Sequence, residues 1–578
     1  MNYDIFMPKL GTTSKYKLTR ISVEAGQEIK VGDKLFEVEA GKASKAVYSE
    51  YQGVIKELLV EEFSEIEVGK PVLIIEGEEG QTKEKETVAA PKPQSTTSKG
   101  GIKGGYFDIK IKKAKKDMTC DIAILGGGPG GYVAAIKGAQ EGKKVIVIEK
   151  DKLGGTCLNR GCIPTKALVR SVEVLENIKS SEKYGLGKFE GNYDLGKMID
   201  RKNQVVEQLV SGIGNLMESN NITVLYGAGK FEDKNTLLVE GKDFDATVKA
   251  ENIIIATGSR PAVLPIPGID NPNVLNSTEI LDMRKLPSSM VIVGGGVIGM
   301  EFAFILNSLG VQVTVVEMMP QILSIVDQEV AEELHNVAIT KGIRIHTSAK
   351  LERIEKIENG GNLVIVEKGD QKINLVAEKI FISIGRALNT EDMGLEKIGV
   401  EMEKRAIKVD KYLQTNVEGI YAIGDVNGQY MLAHVASTEG FIAIDNILGK
   451  EKKMEYHAVP SAIFTHPEIA CVGLTEKEAV DKGFEVKIGK FPYAANGKSL
   501  AAGEEAGFVK IIADEHGKIL GGWIIGYSAS DLIPQITLAI NNGLTVEDVV
   551  NTIYAHPTIS ECIPEACHGV FGHPIHLP

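Results

Sequence analysis

The segment GGTCLNRGCIPTK, residues 154–166, sets Cys157 and Cys162 five positions apart, ahead of a stretch that reads as a helix start. Two neighbouring thiols in a chain with six cysteines suit sulfur redox exchange or metal ligation. Zinc is disfavoured, because no second ligand pair follows at a suitable spacing. Redox exchange needs a thiolate, and a thiol with a pKa of ~8.5 is only roughly 3% ionised at pH 7. The following helix start, with Pro164 in its first turn, supplies about 0.3–1 kcal/mol, against ~1.4 kcal/mol per pKa unit. A further neighbour must supply the rest; two inert buried cysteines are the alternative. Near the other end, AHPTISE places His556 five residues before Glu561. An imidazole can take a thiol proton and return it, and a carboxylate would fix its tautomer. A lone His-Pro is more often structural. Cys562 and Cys567 repeat the five-residue spacing and read as packing residues.

Two similar units must position these groups. Residues 121–150 run from an apolar strand through a glycine turn and an Ala-rich helix to a second apolar strand. Gly126, Gly128 and Gly131 form the turn, and Glu149 ends the second strand. Residues 290–320 repeat the scheme with Gly294, Gly296, Gly299 and Glu317. Missing side chains let the backbone approach a pyrophosphate at a helix N-terminus, and the acid can hold ribose hydroxyls. Two such units imply two dinucleotides, hence redox chemistry. Glu317 would repel a 2'-phosphate, which favours NAD over NADP. A flavin on the first unit, or a cation, is then the neighbour the cysteines require.

The first 78 residues are of another kind. EIKVGDKLFEVE (28–39) is echoed by EIEVGKPVLIIE (65–76), and alternating apolar residues in both halves predict a small all-β sandwich with internal twofold symmetry. Lys42 sits at the pivot, between Gly41 and Ala43. This stretch resembles the lipoyl domains of 2-oxo acid dehydrogenase complexes, which implies lipoate in amide linkage on Lys42. Biotin carriers share the fold but flank their lysine with methionines. Residues 79–118, rich in Pro, Gly, Ser, Thr and Lys, read as a flexible linker with a root-mean-square span of roughly 30–37 Å. The Lys110–Lys116 charge run reads as solvated.

Composition excludes several classes. The formal charge of -13 argues against a nucleic-acid partner. No apolar run reaches the ~18 residues of a membrane span, and no basic n-region with an apolar h-region opens the chain. A cytoplasmic setting is expected, where a disulfide is a working part rather than a staple.

Residues 119–578 resemble the flavoprotein disulfide reductases, in particular the dihydrolipoamide dehydrogenases. The likeness rests on GGTCLNRGCIPTKAL, both glycine units, IIIATGSRP (253–261), ISIGR (382–386), YAIGDV (421–426), MLAH (431–434) and AHPTISE (555–561). It implies an α/β fold with two Rossmann-like domains and an α+β dimerisation domain. The expected bounds are 119–264 for the first part of the FAD domain, 265–388 for the NAD domain, 389–457 for the return to the FAD domain, and 458–578 for the dimerisation domain. Cys157 and Cys162 then form a redox-active disulfide served by His556 and Glu561. FAD is held by Gly126, Gly128, Gly131, Glu149, Gly155, Thr156, Gly229, Thr257, Gly258, Asp425 and Ala433, with Lys166 near the reactive edge of the ring. NAD is held by Gly294, Gly296, Gly299, Glu317 and Gly385. Arg160 replaces the small apolar residue usual between the cysteines. The implied activity is oxidation of dihydrolipoamide by NAD, in a homodimer that serves E2 or other lipoyl-bearing subunits of a multienzyme complex. A related NAD(P)-dependent disulfide reductase, or a lipoyl carrier and scaffold, are the alternatives.

Overall fold

The computed structural model describes residues 2–7, 15–30, 33–40, 43–49, 51–76, 113–358 and 360–577. The chain divides into two compact units, 1–108 and 109–578.

In the N-terminal unit the sequence repeat becomes a sandwich of two four-stranded sheets. One has the order Asn2–Phe6, Pro71–Glu76, Gly53–Leu58, Glu28–Ile29, and the other Ala43–Tyr48, Lys34–Ala40, Lys15–Ile21, Glu65–Glu67. The repeated pairs fall at equivalent places in opposite sheets. Glu28–Ile29 and Glu65–Glu67 are edges, while Lys34–Ala40 and Pro71–Glu76 lie inside. Ile29 and Ile66 are both buried in the shared core, with Leu18, Leu35, Phe36 and Leu73. Lys34–Ala40 pairs with Ala43–Tyr48 up to Ala40 opposite Ala43; Lys42 lies outside the described residues.

The second unit opens with a six-stranded sheet in the order Thr236–Gly241, Thr223–Asp233, Val145–Glu149, Ala114–Leu125, Phe244–Ile255, Ile420–Ala422. Its central strands are parallel and covered on both faces, which is why their sequences are nearly all apolar. Ile122, Ile124, Val145 and Val147 pack with Ala134 and Ala135 of the helix Pro129–Gln140, whereas Ala123, Leu125, Ile146 and Ile148 belong to the core on the other face, with Leu395, Val400 and Ile407.

The first strand begins at Ala114, inside the segment read as linker, so the expected boundary at 119 moves earlier. Residues 114–118 pair in register with 244–248. Lys113 is half-buried and donates to the Gly241 carbonyl at 2.8 Å, whereas Lys115 and Lys116 stay exposed, Lys116 lying over the Phe244 ring.

The chain leaves this sheet through Ser259–Pro261 and returns through Arg386–Leu388, the two segments pairing antiparallel. Between them stands a parallel five-stranded sheet, ordered Val274–Leu275, Lys379–Ile382, Ser289–Val293, Gln312–Val316, Arg344–His346. An antiparallel three-stranded sheet, Lys350–Lys356, Asn362–Lys368 and Gln371–Ala377, completes this region. The C-terminal part is an antiparallel five-stranded sheet packed against the helices Ala529–Asn541 and Cys562–Gly569. Among the described residues no helix is long and apolar enough to cross a membrane.

Candidate active site

Both glycine turns are built alike. Gly126 has φ +108°, and a Cβ there would fall 2.3 Å from the Ala256 carbonyl oxygen; at Gly131 it would fall 1.8 Å from that of Gly126. In the second unit Gly294 has φ +107° with the Ser383 oxygen 2.5 Å from its Cβ position, and Gly299 would meet the Gly294 oxygen at 1.9 Å. The middle glycines differ. A Cβ on Gly128 would meet only Gly155 Cα, at 3.9 Å, and one on Gly296 would meet nothing within 4 Å. Those two N-caps, of Pro129–Gln140 and Val297–Ser308, therefore present bare backbone to open space, which fits a pyrophosphate.

Glu149 and Glu317 are tied to their own turns. Glu149 accepts the Gly127 amide at 2.7 Å and the Asp151 amide at 2.8 Å; Glu317 accepts those of Gly295 at 2.6 Å and Met319 at 2.7 Å. Each carboxylate fixes the loop first and has remaining lone pairs for a ribose.

Of the other residues expected around the first dinucleotide, Gly155 and Thr257 border its glycine turn directly. Gly155, φ +54°, would place a Cβ 2.8 Å from Gly128 Cα. Thr257 and Gly258 are bound to Asn389, through the Thr257 hydroxyl to the Asn389 carbonyl at 2.7 Å and the Asn389 amide to Gly258 at 2.9 Å. Gly229 lies in Thr223–Asp233, where a Cβ would press to 2.5 Å from Leu125 Cδ2, so packing alone demands glycine there. Ala433 opens the helix Ala433–Ile447, and Gly385, φ +113°, borders open space.

Asp425, in the 3-10 turn Gly424–Asn427, accepts the Ser259 hydroxyl. Arg386 binds the same serine at 2.6 Å, reaches Thr156 Oγ1 at 3.3 Å and stands 3.8 Å from Asp425. Arg386 ends the ISIGR segment, and its place here follows from the pairing of 386–388 with 259–261.

Cys157 lies on the short helix Gly155–Arg160, and Cys162 opens the helix Cys162–Lys179. Cys157 is part-buried and Cys162 exposed. The thiol of Cys157 donates to Cys162, and this bond, against the cost of burial and with help from Lys166, lowers the Cys162 pKa to about 7. The same bond, with burial, pushes Cys157 up. Lys166 is a cation close enough to favour the Cys162 thiolate. Its Nζ lies 2.7 and 3.0 Å from the two oxygens of Glu301 and 4.3 Å from the centre of the Phe464 ring. Glu301, its side chain 5% exposed, also accepts the Phe464 amide at 3.0 Å. Three regions thus meet at one ammonium. Glu301 escaped the sequence reading, although a lone acid inside the apolar helix VIGMEFAFILNS was a signal. Arg160 is paired to Asp151.

His556 Nδ1 lies 2.9 Å from Glu561 Oε1, and Glu561 Oε2 accepts the Thr558 amide at 2.7 Å. Burial would raise the Glu561 pKa, but the Thr558 amide and His556 hold it below the usual range. The imidazole is 79% exposed, and its hydrogen bond goes to Glu561 rather than to either cysteine. A second pair, which the sequence reading missed, joins His576 to Glu565 at 2.7 Å. Cys562 and Cys567 are buried, and burial pushes both thiols up to about 12.

A family profile, pyridine nucleotide-disulphide oxidoreductase, matches residues 120–440, more than half of the chain. The chain belongs to that family. The dimerisation-domain profile of the pyridine nucleotide-disulphide oxidoreductases matches 459–567, and a profile described as biotin-requiring enzyme, of the biotin/lipoyl type, matches 3–75. Among relatives, the dihydrolipoyl dehydrogenase of Chlamydia pneumoniae is 43% identical over 461 residues, covering 79% of this chain and 98% of its own length. The dihydrolipoyl dehydrogenase of Bacillus subtilis is 40% identical over 458 residues, covering 79% and 99%. Among solved structures, LpdA from Mycobacterium tuberculosis aligns with a TM-score of 0.73 at 28% identity, covering 78% of this chain and 99% of that one. The HOCl-induced flavoprotein disulfide reductase RclA from Escherichia coli aligns with a TM-score of 0.70 at 30% identity, covering 78% and 100%. The oxidoreductase match covers the second unit and leaves the sandwich as an addition to it.

Proposed function

We propose that the chain is a dihydrolipoyl dehydrogenase, oxidising a protein-bound dihydrolipoyl group with NAD. The observation that carries the reading is the Cys157 and Cys162 pair set across a helix break, beside a lysine whose ammonium is tied to Glu301 of the second nucleotide unit. Relatives of that name at 40–43% identity support the substrate class.

In this reading His556, oriented through Nδ1 by Glu561, takes a proton from one substrate thiol at Nε2. The substrate thiolate attacks Cys157 Sγ in the Cys157–Cys162 disulfide and forms a mixed disulfide, while Cys162 leaves as a thiolate beside Lys166. The second substrate sulfur, losing its proton, displaces Cys157, and the substrate departs as a cyclic disulfide. Two electrons now reside on the cysteine pair. Cys157 is protonated, and the other proton leaves from His556. FAD on the first unit, when bound, supplies the relay of that electron pair to NAD on the second. Gly126, Gly128, Gly131, Glu149, Gly155, Thr156, Gly229, Thr257, Gly258, Asp425 and Ala433 would hold the flavin nucleotide, with Lys166 serving its reactive ring; Gly294, Gly296, Gly299, Glu317 and Gly385 would hold NAD.

Two copies form a homodimer through residues 458–578, each supplying His556 to the other's cysteines. Lys42 carries lipoate, and the partners are lipoyl-bearing E2-type subunits in the cytoplasm. The test is the purified full chain supplied with free dihydrolipoamide and NAD. It should be yellow, form NADH and show a lipoyl increment in its intact mass. A colourless protein after reconstitution with FAD, or turnover retained in Cys157→Ser, overturns the enzymatic reading; an unmodified mass from a lipoylating host overturns the carrier part alone.

A further inference from the structure

The helix Ala433–Ile447 carries a carboxylate that the steps above do not use. Glu439 is fully buried, at 0% exposure. Its hydrogen-bond partners are uncharged donors. Oε2 accepts the Gly424 amide at 2.5 Å, the Asn427 side-chain amide spans both oxygens at 3.1 Å, and the Tyr456 hydroxyl donates to Oε1 at 2.5 Å. A carboxylate at that depth is unfavourable unless its acceptor sites are filled, and here four bonds fill them. Burial raises its pKa, with the Tyr456, Gly424 and Asn427 bonds pulling the other way.

What these bonds hold decides their purpose. Gly424 and Asn427 are the two ends of the turn that bears Asp425, and Gly424 is left-handed, φ +71°. Asp425 in turn meets Ser259 and Arg386. Tyr456 also stacks on Tyr430, ring centres 5.3 Å apart, just before the segment that leads into Ala433. One buried acid therefore fastens both ends of the Asp425 turn and the approach to the helix.

We propose that Glu439 is the positioning residue of the flavin site, clamping the Gly424–Asn427 turn so that Asp425 is presented to a ribityl hydroxyl. The proposal rests on the flavoprotein reading above. It also explains an acid where an apolar residue would pack at lower cost: no hydrocarbon side chain accepts from an amide, a carboxamide and a phenol together.

The test titrates FAD into the full-length apoprotein. Glu439→Gln puts an NH2 where the donors need an acceptor, and should raise the FAD dissociation constant at least about ten-fold. Tyr456→Phe removes one donor and should raise it roughly two- to five-fold. Visible circular dichroism of the bound flavin should change in both, while NAD affinity, set by the separate turn at Gly294, stays at the parent value. FAD affinity within two-fold of the parent in Glu439→Gln overturns the proposal. Should that variant fail to fold by far-ultraviolet circular dichroism, Tyr456→Phe and Asn427→Ala decide, and parental FAD affinity in both overturns it. A parent chain that binds no FAD sinks the flavoprotein reading instead, and this proposal with it.

Discussion

Two pairs of cysteines stand at the same spacing in this chain, Cys157 with Cys162 and Cys562 with Cys567, and only one is built to react. The first pair straddles a break between two helices, with one thiol donating to the other and an ammonium alongside, and Cys162 is brought down to about 7. The second pair lies within one helix, walled in by the C-terminal core, and burial drives both thiols up to about 12. Spacing is common to both; charge and solvation separate them. The Cys162 thiolate is therefore favoured near neutral pH, whereas Cys567 stays a thiol there.

Breaking the reactive pair has the largest expected effect. Cys162→Ser should lower dihydrolipoamide-dependent NADH formation by at least about a thousand-fold, because no disulfide can form. Cys567→Ala should leave turnover at the parental level and instead lower the thermal midpoint, with about 1–3 kcal/mol of lost packing in a denaturant melt. Next comes His556→Gln, which removes the proton acceptor while leaving the sulfurs in place. Turnover should fall about 10²–10⁴-fold, and the loss should be greatest near neutral pH, where a substrate thiol still holds its proton. Smaller is Lys166→Met. Without the ammonium the Cys162 pKa should rise, so that at pH 7 the thiolate fraction drops and is regained as pH rises. A pH profile of the reductive half-reaction in this variant, displaced to higher pH, checks the sign. The same change leaves Glu301 buried without its partner, so a stability loss of about 3–5 kcal/mol accompanies it.

The contrast between the cysteine pairs also shows what was legible beforehand. Cys157, Cys162, His556, Glu561 and both glycine turns are local patterns, readable because the residues that act together lie within a few positions of one another. Glu301 and Arg386 belong to the same neighbourhood yet come from far along the chain, 135 residues beyond Lys166 and 230 beyond Thr156 respectively. Only the packing of one sheet and its return strands brings them in. The sandwich was legible from its repeat, since edge and inner strands recur in opposite sheets. The start of the strand at Ala114 was not, because residues 114–117 are exposed and their place is set by backbone pairing with 244–247. Glu439 was hidden for a related reason: its role depends on donors at 424, 427 and 456 that no short motif unites.

Surroundings, not spacing, make Cys162 the thiolate of this chain. Ultraviolet titration of thiolate in the fully reduced full-length protein, compared between Cys157→Ser and Cys162→Ser, tests it directly. The serine hydroxyl at 157 can still donate, so Cys157→Ser should keep one thiolate titrating well below the ordinary thiol range. Cys162→Ser should show none there, with the remaining cysteines silent until far higher pH. A low-titrating thiolate that survives the loss of Cys162, or its absence from Cys157→Ser, would contradict the account.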